Sequence, residues 1–111
     1  MAGNLRDDIP QALPEELVTT LAQAQNVRIE RIVSRGQASA PGFWYDQAED
    51  EFVLLVDGEA RLLLEGQREI GLRRGDWLVI PAHVRHRVTW TAPGQDTVWL
   101  CVFYRAVTSA R

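Results

Sequence analysis

Glu51 stands directly before the apolar run Phe52-Val53-Leu54-Leu55-Val56. A carboxylate in such surroundings must pair with a cation or take up a proton. The chain's two histidines, His83 and His86, fall in Ile80-Pro81-Ala82-His83-Val84-Arg85-His86. An imidazole can hold a metal through one ring nitrogen while a neighbour fixes the other. Just before Glu51 come Tyr45, Asp46 and Gln47: a phenol, a carboxylate and an amide. Gln47 can lend a metal only a neutral carbonyl oxygen, and Asp46 is the stronger donor. Other chemistries are excluded. All twelve basic residues are arginine, so Schiff-base catalysis, a lysine base and a Walker-type phosphate loop are absent. Cys101 is the single cysteine, which excludes an internal disulfide and a Cys-rich zinc site. It alternates with Trp99 and Phe103 and reads as a buried, inert thiol.

The elements that must position these residues are short. At 111 residues, 46% hydrophobic and 24% charged, the chain is one ordinary globular domain. Its net charge of −3 disfavours a nucleic-acid partner. No apolar run approaches the roughly 18 residues of a membrane helix, and Met1 to Asp8 lacks a signal pattern, so the expected location is cytoplasmic. Pro14, Glu15 and Glu16 suit a helix start. Leu17, Val18, Leu21 and Ala22 then recur at helical spacing, which predicts a short helix to about Gln25. Val27 to Val33 reads as an edge strand with apolar residues on both faces, an association liability that a second subunit would cover.

From there the chain reads as strands cut by turns. Glu51 to Val56 is followed by Asp57-Gly58, a two-residue hairpin signal, and Glu59 to Glu65. Arg68 to Leu72, Trp77 to Ile80, Val84 to Thr91 and Thr97 to Arg105 complete the series. Such spacing without helices predicts an antiparallel sandwich or small barrel. The divisions are an N-terminal helix and edge strand (1–36), the barrel (37–105) and a tail (106–111).

The spacing of Glu51 and Gly58, and of Gly75, Pro81 and His86, resembles the two motifs of a small single-domain cupin. The resemblance spans about Ser39 to Tyr104. It implies an all-β double-stranded β-helix, or jelly-roll barrel, and a homodimer. It also implies a divalent metal (Zn, Fe, Mn or Ni) on Glu51 and His86. The sequence departs from the motifs in two places. The first motif's histidine pair is missing, its places falling on Tyr45 and Gln47 or on Trp44 and Asp46. In the second, His83 stands where the family has glycine.

Strand residues two apart share a face. That parity turns Tyr45, Gln47 and Glu51 into one interior, with Ala60, Leu62 and Leu64 as another wall. Asp46 would need a bulge to turn inward. From His86 the same rule sends Val88 and Trp90 inward. The expected metal set is Glu51, His86 and Gln47, with Asp46 and His83 as weaker members. Tyr45 and Trp90 are the expected ligand contacts in an apolar small-molecule pocket. As an enzyme the protein would be a dioxygenase, isomerase or lyase. The alternatives are a non-catalytic binding or sensing module and a structural homodimer with a vestigial pocket.

Overall fold

Strand pairing decides the N-terminal third. The computed structural model describes residues 2–106, and none of them is helical. The expected helix is instead strand β1 (Leu17–Ala24), antiparallel to β2 (Val27–Ser34) from Leu17↔Val33 to Ala24↔Val27. A bulge between Thr20 and Ala22 adds one residue. This extra residue gives an alternating strand an apolar spacing that mimics a helix. The β-branched Thr19 and Thr20 suit a pleated surface, and a full ladder outweighs a weak helical preference.

The same strand corrects the open edge expected at 27–33. β2 lies between β1 and β8 (Thr97–Tyr104), so both its edges are hydrogen-bonded. β8 also pairs with β3 (Asp50–Asp57), and β3 with β6 (Trp77–Ile80). This five-stranded sheet, β1-β2-β8-β3-β6, faces a three-stranded one in the order β5-β4-β7. The latter comprises β4 (Glu59–Leu64), β5 (Ile70–Arg73) and β7 (His86–Thr91). Asp57-Gly58 is therefore no hairpin, because β3 and β4 belong to different sheets. It is the corner where the chain changes sheet. Gly58 has φ +91°, and a Cβ there would lie 2.5 Å from Thr97 Oγ1, so backbone and space both demand glycine.

Between the sheets lie Val53, Leu55, Leu62, Leu72, Ile80 and Trp99, all buried. Each such large side chain contributes about 1.5–3 kcal/mol. The segment before β1 crosses the outer face of the five-stranded sheet and is held by its backbone carbonyls. Buried Arg31 donates to the carbonyls of Leu5 and Asp7 and to Thr19 Oγ1. Arg35 donates to the carbonyls of Pro10 and Gln11, and Gln37 to that of Leu13. Residues 107–111 of the expected tail lie outside the described residues.

Candidate functional site

The register of the large sheet stacks its inward side chains in rows. Arg28, Phe103, Glu51 and Ile80 form one, and Glu30, Cys101 and Val53 the next. Ile32, Trp99 and Leu55 form a third. The opposite sheet supplies Leu62, His86 and Val88; together these walls enclose a cavity of about 210 Å³. Tyr45 and Gln47 line it from the loop before β3, and Glu16 and Val18 from the chain around the start of β1.

At its floor, Glu51 and His86 meet. Glu51 Oε1 lies 3.5 Å from His86 Nε2, with the two side chains 8% and 6% exposed. His86 Nδ1 lies 3.0 Å from the Val84 carbonyl. A carbonyl only accepts, so Nδ1 carries the proton. In a neutral ring the Nε2 lone pair would then face a carboxylate. The charged ring, with a proton on each nitrogen, removes that conflict. Burial opposes the charge on His86, but the hydrogen bonds to Glu51 and to the Val84 carbonyl, with the carboxylate's attraction, outweigh it. His86 therefore titrates above the ordinary histidine value. Gln47 Nε2 donates to the same Glu51 Oε1 at 3.1 Å.

Tyr45 is tied to His86 by backbone. Its N–H donates to the His86 carbonyl at 2.7 Å, and the His86 N–H returns a bond at 3.1 Å. The rings stack at 5.4 Å and 23°. Burial, followed by the charges of Glu16 and Glu51, raises the Tyr45 phenol, which stays neutral at physiological pH. Burial and the adjacent Glu51 carboxylate likewise push the Cys101 thiol far up, so it is no nucleophile.

Three expected members of the site lie outside it. His83 Nδ1 and Asp46 Oδ1 approach to 2.9 Å with their side chains 70% and 49% exposed. They partner each other at the surface. Trp90 also faces away from the cavity. A register shift in β7 aligns Ala60 with Thr91, Arg61 with Trp90 and Leu62 with Val88, leaving Thr89 as the extra residue. The bulge reverses parity beyond Val88 and puts Trp90 under the Arg61 guanidinium, 4.9 Å away. Trp90 is therefore corrected from ligand contact to outer surface.

Sequence reasoning missed Glu16, Arg28 and Glu30. Glu16 was hidden by its assignment to a helix start. The alternation of Arg28, Glu30 and Ile32 was the available signal, obscured by reading that segment as an edge. Arg28 donates to Glu30 Oε2 at 2.9 Å and to Glu49 Oε2 at 3.0 Å, and its guanidinium lies 4.3 Å over the Phe103 ring. Burial outweighs the Ser34 hydrogen bond and raises the Glu16 carboxyl.

The donor set does not fit a resident divalent metal. Among the described residues no group of three or more His, Cys, Asp or Glu side chains is placed to hold an ion. Glu51 and His86 are two strong donors, where a catalytic metal centre usually has three from the protein. Gln47, the expected third, turns its amide N–H₂ toward Glu51. The metal expected on Glu51, His86 and Gln47, with Asp46 and His83 in reserve, is thus matched by a buried pair, its amide partner and a separate surface pair.

The described residues form eight strands in a two-sheet antiparallel barrel around an apolar-walled cavity with a polar floor, the architecture of a double-stranded β-helix. Residues 31–103 match the cupin domain, and the chain belongs to the cupin family. It is similar to a candidate mannose-6-phosphate isomerase of Ralstonia eutropha JMP134, with 48% identity over 96% of this chain and 99% of that one and a TM-score of 0.92. A cupin superfamily protein of Desulfitobacterium hafniense DCB-2 shares the fold at 23% identity, covering 88% of this chain and 84% of its own, with a TM-score of 0.72. An RmlC-like cupin of Methanocaldococcus jannaschii does so at 18% identity, covering 87% and 86%, with a TM-score of 0.69. No curated protein gives a significant match. No helix among the described residues is long and apolar enough to cross a membrane.

Proposed function

We propose that this cupin binds a compact organic molecule carrying a hydrogen-bond donor or a positive charge, anchored by the Glu51–His86 pair. The observation that supports this reading is the charge of the lining. Glu16, Glu30 and Glu51 face the cavity against two cations, the Arg28 guanidinium and the charged His86 ring, and both are already paired, Arg28 with Glu30 and Glu49 and His86 with Glu51. An anion entering there would meet carboxylates with no free cation to receive it, and in a low-dielectric cavity that repulsion is large. An amine or alcohol would meet acceptors. The apolar walls supply contact area, and the floor supplies orientation.

Calorimetric titration with benzylamine, benzyl alcohol and benzoate tests the proposal. Benzylamine should bind most tightly and benzoate least, and Glu51→Gln should weaken benzylamine at least tenfold. Equal or tighter binding of benzoate overturns it.

A second reading is an isomerase acting on a sugar phosphate, favoured by the 48% identity to the Ralstonia protein. The lining charge argues against a phosphate in this cavity. Proton NMR of mannose 6-phosphate incubated with the protein decides between them, since conversion to fructose 6-phosphate would establish the isomerase.

The proposal includes a homodimer, on grounds other than an open edge at β2. The outer face of the large sheet aligns Ile29, Val102, Phe52 and Val79 in one row and Leu100, Leu54 and Trp77 in the next. Trp77 is 63% exposed and stacks on Phe52 at 5.7 Å. A contiguous apolar face of this kind favours a second copy. Light scattering should give twice the 12.6 kDa chain mass at micromolar concentration, and Trp77→Arg should halve it. A 12.6 kDa wild-type particle overturns the dimer.

A further inference from the structure

We propose that the ligand site has two parts, with an outer groove that takes the apolar tail of an amine whose head sits at Glu51. This rests on the cavity reading above and extends it. A groove of about 360 Å³ runs between the chain around Pro14 and the loop carrying Ala40 and Phe43. It shares Glu16, Tyr45 and Val88 with the cavity, so the two spaces adjoin at these three residues, which we take as the neck between them.

An aromatic run connects them. His86 at the floor stacks on Tyr45 at the neck, and Tyr45 meets Phe43 in the groove edge-on, at 4.8 Å and 89°. Phe43 is 46% exposed. As a wall of an apolar groove, that exposure acquires a use.

Apart from the carboxylates of Glu15 and Glu16, the polar groups along the groove are already occupied within the fold. Ser39 Oγ accepts from the Val88 N–H at 3.0 Å, and the Ser39 N–H donates to the Val88 carbonyl at 2.8 Å. The Gln37 side chain donates to the Leu13 carbonyl at 2.8 Å and accepts from the Arg35 N–H. The Gln37 carbonyl accepts from Thr91 Oγ1 at 2.6 Å. What remains to meet a ligand, besides those two carboxylates, is the apolar surface of Pro14, Ala40, Phe43, Tyr45 and Val88. Glu16, at the neck, sits where a cationic head passes on its way to Glu51. The occupant this arrangement fits is a primary amine with an alkyl or arylalkyl tail.

The test is calorimetric titration of the full-length protein with n-alkylamines from propylamine to octylamine. Affinity should rise about two- to fourfold per methylene as the tail occupies the groove, given the usual gain per buried methylene, and then level off. Ala40→Trp, at an exposed position, should remove most of the gain for octylamine and leave propylamine unchanged; Phe43→Ala should reduce the gain in the same selective way. Propylamine binding with no growth along the series overturns the groove and leaves the cavity reading standing. So does an Ala40→Trp protein that loses propylamine and octylamine equally. Failure of every amine, with benzoate bound instead, overturns both.

Discussion

Two histidine–carboxylate pairs lie close together in this chain and share the same two segments. His83 and Asp46 meet at 2.9 Å at the surface; His86 and Glu51 meet at 3.5 Å inside the barrel. By distance the surface pair is the better one. By surroundings the order reverses. Water and mobile ions screen the first, and an exposed pair of this kind is worth about 0–1 kcal/mol. The second sits in an apolar cavity, where little water screens it and the loss of either partner leaves the other buried without its counterpart. A short contact identifies a pair, and its burial decides what the pair does.

Removing one partner from each pair should separate them most widely. His86→Ala leaves Glu51 buried with only the Gln47 amide and the weak Cys101 S–H as donors, and should cost about 3 kcal/mol. Asp46→Ala should cost under about 0.5 kcal/mol. Urea denaturation of the two variants measures both, and similar losses would break the comparison.

Titration should separate the pairs next. Histidine NMR is expected to show His86 titrating above the ordinary value. A raised folded-state value means that the pair's stabilisation is fully present below the unfolded histidine value of about 6.5 and is lost as pH rises through the folded value. Glu51→Gln removes the attraction and leaves the burial, so His86 should fall below the ordinary value and the stability profile should lose that slope. A His86 shift unchanged in Glu51→Gln would mean that the Val84 carbonyl, and no carboxylate, sets it.

How much of this was legible depended on parity. Gln47, Glu51 and His86 do face one interior, but residues 46–49 are a loop and bend before β3, so parity reached Gln47 without the continuous strand it assumes. Trp90 failed by the same rule. The bulge at Thr89 inverts alternation, and neither glycine nor proline marks it. β1 failed for a related reason, its bulge turning a period of two into something close to a helical period. The Asp57-Gly58 turn was correctly seen as a turn, but a local signal cannot say whether the chain folds back on its own sheet or crosses to the other. Glu16, Arg28 and Glu30 entered the cavity through those misread elements. The motif spacing was more robust, because Gly58, Gly75 and Pro81 are fixed by backbone requirements that bulges do not alter.

The smallest expected effects concern the surface pair and its backbone. His83 has φ +63°, in the left-handed region that glycine adopts freely and other residues enter at a cost of about 1 kcal/mol. The second cupin motif has glycine at this place, and the dihedral supplies the physical reason. His83→Gly relieves the strain but loses the Asp46 contact and makes the unfolded chain more flexible. These terms partly cancel, so the variant should be more stable by no more than about 0.5–1 kcal/mol. The His83 N–H still donates to the Gln47 carbonyl at 2.7 Å, a backbone bond that glycine keeps, so the cavity loop should hold its place and benzylamine affinity should not change. A destabilised His83→Gly would show that the exposed pair is worth more than its strain. The surface member of the comparison would then carry structural weight that its exposure denies it.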